Sequence, residues 1–260
     1  MKASLLVAIS IVAFTALSSN AAGSSAISGS ASGFDAGSLQ FKILGSDGKA
    51  TIGYTRFTVL LKDSIEEVKG ETRYVDGERD AEDELLDVTA PAYTPRLETY
   101  KHSFFNADGT LSMVDTLDAK AGIASCASYT SGKMNLRKSQ LDVPADSYAG
   151  ASGLMMMVGS LRHGNREIKF HAFACAPGPE MFSVAASLPV RAERWPFYSG
   201  DLFRLDMRPD LGALNLLIAP FLPTMDAWFS PADNWNYVGG EFDRYFRGPH
   251  VLTVRVPPAD

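Results

Sequence analysis

The side chains with the most distinctive chemistry are Cys126 and Cys175, the only two cysteines in 260 residues. In an oxidising compartment an even cysteine count favours a bridge. Closing a loop of this length would constrain the unfolded chain by roughly 4 kcal/mol. The alternative is two separate buried thiols, each packing as a small hydrophobe. His171 and Cys175 would share one face of a strand, two pleats apart, which raises a Cys-His nucleophile or a soft-metal site. A bridged Cys175 removes both.

The second chemical feature is the acidic stretch Asp76, Glu78, Asp80, Glu82, Asp83, Glu84 and Asp87. A hard cation is its functional reading, but it lacks the Gly and terminal Glu that an EF-hand loop requires at fixed offsets. It is read as a solvated hairpin and loop. His102, His163 and His250 are scattered, and C-x-x-C and H-E-x-x-H are absent, so zinc has no framework. A G-x-S-x-G elbow and a phosphate-binding Gly loop are absent too. Glycoside hydrolysis needs only two carboxylates, and 30 acidic residues leave it open. No catalytic, cofactor or metal residue is assigned, and no cofactor is expected. A formal charge of -6 without basic runs makes nucleic acid an unsuitable partner.

The apolar residues are more suggestive. Met155, Met156 and Met157 form one run, and Leu211 to Phe229 carries Phe221, Leu222, Met225 and Trp228. Methionine lines adaptable apolar sites as well as filling core gaps. Met155, Met156, Met157, Leu222, Met225 and Trp228 are therefore the candidate lining of a site for a lipid or other amphiphile. Core packing of a helix on a sheet is the competing interpretation.

These residues need elements to position them. Turn dipeptides recur at Asp47-Gly48, Asp76-Gly77, Asp108-Gly109, Ser131-Gly132 and Gly164-Asn165, and such pairs suit tight hairpins. Between Glu66 and Tyr74, Val68, Gly70, Thr72 and Tyr74 alternate with charged residues, the pattern of a half-buried antiparallel strand. Similar strands are expected at 39–45, 51–61, 95–105, 110–118, 122–129, 166–175, 180–188, 200–207, 236–246 and 250–256. Asp146-Ser147 can cap a helix running through Leu154 to Leu161 and stopped by Gly164. The segment Leu211 to Phe229 is expected to be a strand or short helix broken at Pro220 and Pro223.

At the start of the chain, Lys2, the apolar stretch Leu5 to Leu17 and Ser19-Asn20-Ala21 have the form of a cleavable secretory signal. The expected organisation is a signal over 1–21, a flexible leader over 22–33 and a single β-rich domain over 34–260. The stretch is shorter than the roughly 20 residues that span a bilayer, so no integral span should persist after cleavage. A periplasmic or secreted location follows.

The hairpins around Gly53-Tyr54 and Tyr74-Val75-Asp76-Gly77, the helix Leu154 to Arg162, and Trp235-Asn236-Tyr237 with Gly239-Gly240-Glu241-Phe242 carry a resemblance. In them the sequence is similar to a family of exported bacterial β-rich proteins whose fold resembles the periplasmic lipoprotein carriers. The resemblance implies a hydrophobic concave face. The expected fold is mainly β, a strongly curved antiparallel sheet or incomplete barrel wrapping a short apolar helix. The expected function is non-enzymatic binding of a hydrophobic or amphipathic envelope component. Its rivals are hydrolysis of an envelope polymer by a carboxylate pair, and a structural module that docks partners at a sheet edge.

Overall fold

The computed structural model describes residues 37–89, 94–175, 178–189, 191–210, 225–244 and 249–256. The expected signal and leader, and Leu222, lie outside these residues. Within them the chain is mainly β, with one α-helix and one large sheet.

The first series of strands is β1 (Gly37–Gly45), β2 (Thr51–Lys62), β3 (Ile65–Tyr74), β4 (Arg79–Asp87), β5 (Arg96–Phe105), β6 (Leu111–Asp118), β7 (Ile123–Thr130) and β8 (Lys133–Gln140). Each pairs antiparallel with the next. Ser131 and Gly132, at φ 51° and 74°, form the two-residue loop between β7 and β8. Two successive positive φ angles are what a type I′ hairpin needs, and its twist matches that of the strands it joins.

A second series follows: β9 (Ser147–Tyr148), the helix α1 (Gly150–Arg162), β10 (Glu167–Cys175), β11 (Pro179–Ser187), β12 (Phe203–Pro209), β13 (Met225–Ser230), β14 (Asn236–Asp243) and β15 (His250–Arg255). β9 runs parallel to β10, so β9-α1-β10 is a crossover unit, and the other pairs are antiparallel. The two series join where β1 pairs with β15, Phe41 opposite Arg255 and Gly45 opposite Val251. The first and last strands therefore meet in the interior of the sheet, while β8 and β9 form its margins.

The sheet is not closed, since β8 and β9 share no ladder. Its two marginal regions nevertheless touch: β7 and β8 meet β11, β6 meets β10, and β5 meets β9. Cys126 on β7 is bridged to Cys175 on β10, so a covalent link spans the gap that hydrogen bonds leave.

Every residue of α1 from Gly150 to Leu161 is buried. A helix apolar on all sides has no face to give to water. Met155, Met157 and Val158 are fully enclosed, among Phe41, Leu86, Phe170, Val184, Leu205 and Phe229 of the main core. A smaller cluster holds Leu44, Trp195, Leu202, Trp228, Val238 and Leu252, with the Trp195 and Trp228 rings stacked at 5.5 Å. No helix among the described residues is long and apolar enough to cross a membrane.

Two sequence expectations are corrected here. The acidic stretch holds the expected hairpin turn at Asp76-Gly77, but it is not a solvated loop beyond it: from Arg79 it forms β4, with Asp80, Glu82, Glu84 and Leu86 turned inward and Ala81, Asp83 and Leu85 less buried. The helix cap is Ala149 rather than Asp146 or Ser147. Ser147 is held in β9, and Asp146 Oδ1 lies 2.9 Å from His171 Nδ1.

Candidate functional site

The inward pleat of β3 to β7 is unusually polar. Across the register, Gly70, Glu82, His102, Asp115 and Cys126 stand opposite one another in turn on β3, β4, β5, β6 and β7. One pleat further toward the β3-β4 turn lie Thr72, Asp80, Phe104 and Met113. Strand alternation alone puts these side chains on one face.

Asp80, Glu82, Glu84 and His102 are each at most 2% exposed, so their charges must be met inside the protein. Thr72 donates its hydroxyl to Asp80 Oδ1 at 2.6 Å. The same oxygen is 3.2 Å from His102 Nε2, and His102 Nδ1 is 3.2 Å from the Tyr100 hydroxyl. Burial weakens the hold of His102 on its proton. The Asp80 hydrogen bond and the charges of Asp80, Glu82 and Asp115 outweigh burial, and the net direction is upward. Protonated, the ring donates from both nitrogens, to Asp80 and to the tyrosine oxygen.

Glu82 and Glu84 meet the N-terminus of α1. Ala151 N-H donates to Glu82 Oε1 at 2.8 Å, and Ser152 N-H donates to the Glu84 carboxylate at 3.1 and 3.2 Å. The first turn of α1 has no acidic residue of its own, so the capping charge comes from another strand. Ser152 completes the cap: its hydroxyl donates to Ala149 O at 2.6 Å and accepts from Ala149 N-H at 3.1 Å. Burial raises both carboxyls, and contact with Glu84 raises Glu82 further. Burial disfavours charge on both carboxyls, and the backbone N-H groups at the start of α1 offset that cost. Gly150, at φ 44°, sits on these carboxyls so closely that a Cβ would overlap Glu82 Oε1.

Beside this network lies a cavity of about 360 Å³. Tyr100, Phe104, Phe105, Met113 and Phe173 supply its apolar and aromatic walls, and Asp80 and Asp115 its inner carboxyl groups. At the mouth, Arg244 lies over the Tyr74 ring at 3.3 Å and pairs with Asp76 at 3.2 Å and Glu78 at 2.7 Å. Arg79 lies over Phe105 at 4.0 Å. Cys175 forms part of the wall, and with Met113 and Ser128 it also borders a smaller cavity lined by Cys126, Asn135 and Arg137.

Glu82 Oε2 and Asp115 Oδ1 are the unsatisfied carboxyl oxygens of the site, and Asp115 is the one that lines the cavity. It is 9% exposed, and its Oδ1 has no hydrogen-bond partner. Burial pushes its carboxyl up to about 6, with His102 pulling in the opposite direction. One Asp115 oxygen and both disulfide sulfurs lie within 4.8 Å of one another. Bridged sulfurs are not thiolates, so this trio lacks the donor set of a metal centre.

The structure brings Cys126 and Cys175 together but does not assemble the proposed lining residues around the cavity. Met155, Met156 and Met157 are packed in the core on α1, Met225 is in the same core, and Trp228 lies in the smaller cluster. The Cys-His nucleophile is absent, since Cys175 is bridged and His171 is paired with Asp146. Sequence reasoning placed Asp80 in a solvated stretch and His102 among scattered histidines, and it passed over Tyr100 and Asp115. The available signal was an alternation of acidic residues on β4 in phase with His102 and Tyr100 on β5.

No protein-family model matches the chain, and no curated protein matches it. Among solved structures it is similar to a beta-barrel-like protein of the domain of unknown function DUF1849 from Brucella abortus. The two share 9% identity with a TM-score of 0.44, over 84% of this chain and 95% of that one.

Proposed function

We propose that the chain is an exported, non-enzymatic protein that binds an amphipathic component of the cell envelope. It works in the periplasm or outside the cell, on a strongly curved sheet that wraps α1 as an incomplete barrel. The observation that carries this reading is the cavity of about 360 Å³, walled by aromatic rings and Met113 and carboxyl-bearing at its inner end. Small-molecule sites span roughly 300 to 1,000 Å³ and are mostly apolar with a few placed polar groups. The touching margins of the sheet and the all-round burial of α1 support the curved arrangement. The Cys126–Cys175 bridge supports export, because structural disulfides persist mainly in oxidising compartments.

The test is uptake of an apolar fluorescent probe by the purified protein, with displacement by envelope lipids. Ser112→Trp, which fills the cavity from a partly exposed wall position, is expected to abolish uptake without unfolding the chain. Equal uptake by the variant would sink the reading.

A second reading is hydrolysis of an envelope polymer, favoured by the presence of two carboxyl groups, Asp80 and Asp115, in one cavity. Asp80 is already held by Thr72 and His102, which leaves Asp115 as the group open to a ligand. Release of soluble fragments from a cell-wall preparation, lost in Asp115→Asn, would replace binding with hydrolysis.

A further inference from the structure

The ligand's head group can be narrowed, on the premise that the cavity is a binding site. A buried carboxylate oxygen without a donor carries the full cost of its lost hydration. Asp115 is the described cavity residue in that position. What faces it decides which molecule would meet the need.

From β5 comes His102, whose two ring nitrogens lie against Asp80 and Tyr100. From β4 come Asp80 and Glu82, and from β7 and β10 the uncharged Cys126–Cys175 bridge. Taken together, His102 stands among Asp80, Glu82 and Asp115. Acidic groups thus outnumber basic ones at the inner end of the cavity. The two arginines at the mouth do not change this, since Arg244 is paired with Asp76 and Glu78 and Arg79 lies on Phe105. Tyr100, Phe104 and Phe173 line the same cavity, and a ring face turned toward a ligand favours a cation over an anion.

We propose that the cavity takes an ammonium-bearing amphiphile, its cationic nitrogen donating to Asp115 and its hydrocarbon part lying along Phe104, Phe105, Met113 and Phe173. An anionic head would meet Asp80 and Asp115 in a dry site, where repulsion is weakly screened. A hydroxyl head could donate one hydrogen bond but would leave the negative charge uncompensated. A lipid head group and a free alkylamine present this same chemistry.

The experiment compares decylamine, decanol and decanoate, each below its micelle concentration, by calorimetry on the full chain at pH 7.5, beside vesicles containing phosphatidylethanolamine. Decylamine is expected to bind at least tenfold tighter than decanol, and decanoate weakest. Asp115→Asn should erase the amine's advantage over decanol, and an unfolding midpoint no lower than that of the native protein reports that the variant is folded. Lowering the pH to 5 should shrink the amine preference in the native protein and not in the variant. Transfer of phosphatidylethanolamine from the vesicles would identify a lipid as the source, and its absence with tight decylamine binding a free amine. Equal affinity for amine and alcohol, preference for decanoate, or an unchanged preference in Asp115→Asn would overturn the ammonium assignment alone. Binding of none of the three compounds would overturn the binding reading itself.

Discussion

The two series of strands bury their inner faces in different ways. Along β10 to β14 the main core is almost wholly apolar, with Ile168, Phe170, Val184, Leu205, Met207, Ala227 and Phe229, and α1 lies against it through Met155, Met157 and Val158. Along β3 to β6 the inner face carries Thr72, Asp80, Glu82, Glu84, His102 and Asp115. The first arrangement gains from every methylene taken out of water, at about 25 cal/mol per Å². The second must satisfy each group it buries, and it succeeds at all but a few atoms. The contrast separates two roles in the fold: the apolar half supplies stability, and the polar half gives up some of it to hold ionisable groups beside the cavity.

The most severe way to separate the halves is to cut the link between them. The Cys126–Cys175 bridge closes 49 residues of sequence separation, and Cys126→Ser with Cys175→Ser is expected to cost about 4 kcal/mol in urea unfolding. Retention of stability within about 1 kcal/mol would mean that the margins hold together by packing alone.

A sharper probe is the point where the halves meet, at the start of α1. Gly150→Ala should destabilise by about 3 kcal/mol, since it adds an overlap with Glu82 to a left-handed backbone. Gly153→Ala, one turn on, has only Tyr148 Cβ at 3.9 Å to meet. It is expected to stabilise by about 0.5 to 1 kcal/mol. Similar losses from both, measured by thermal unfolding, would show that glycine serves packing rather than the carboxyl contact.

Asp115 should behave in the opposite sense to most buried residues. Its folded carboxyl is raised to about 6 from 3.8. The folded state thus binds this proton more tightly than the unfolded one, so its contribution is present below pH 3.8 and lost as pH rises through about 6. Asp115→Asn is therefore expected to stabilise the ligand-free protein by about 2 kcal/mol at pH 7.5. The gain should fade toward pH 4, as denaturant midpoints across that range would show. A destabilised variant at neutral pH would place a hidden partner on Asp115.

The smallest effect belongs to the apolar half. Tyr237 and Thr253 share a buried hydroxyl contact at 2.8 Å, and Tyr237→Phe should cost about 1 kcal/mol by the same unfolding assay.

Much of this architecture is legible in the sequence because it is written in local terms. The turn glycines Gly48, Gly77, Gly109, Gly132 and Gly164 all adopt positive φ, and the strands between them follow from alternation. The bridge was legible from cysteine count and the expected compartment. β4 was not, because its inward residues are acidic and a hydrophobicity pattern registers them as solvent-facing. β8 was missed for a related reason: it is a margin with nearly every residue exposed, so neither face shows the apolar signal. The site combines residues of β3, β4, β5, β6, β7 and β10 with Arg244 just after β14, and no spacing along one chain encodes a relation among strands so far apart in sequence. Met155 to Met157 drew attention as a binding surface because sequence gives the composition of a helix but not whether its surroundings are full.

The pairing of β1 with β15 has a consequence for how the protein acquires its shape. Neighbouring strands elsewhere are separated by short hairpins, connections or the single crossover, whereas Phe41 must wait for Arg255, more than 200 residues later. Contacts of such long range carry the largest loop-closure cost and slow the search for the native state. Two partly formed arcs, each with an unpaired edge at the future seam, would be the natural intermediates, and such edges invite pairing with other chains. The seam is thus the place where a chaperone would be of most use to this protein, and where crowding of newly made chains would do the most harm.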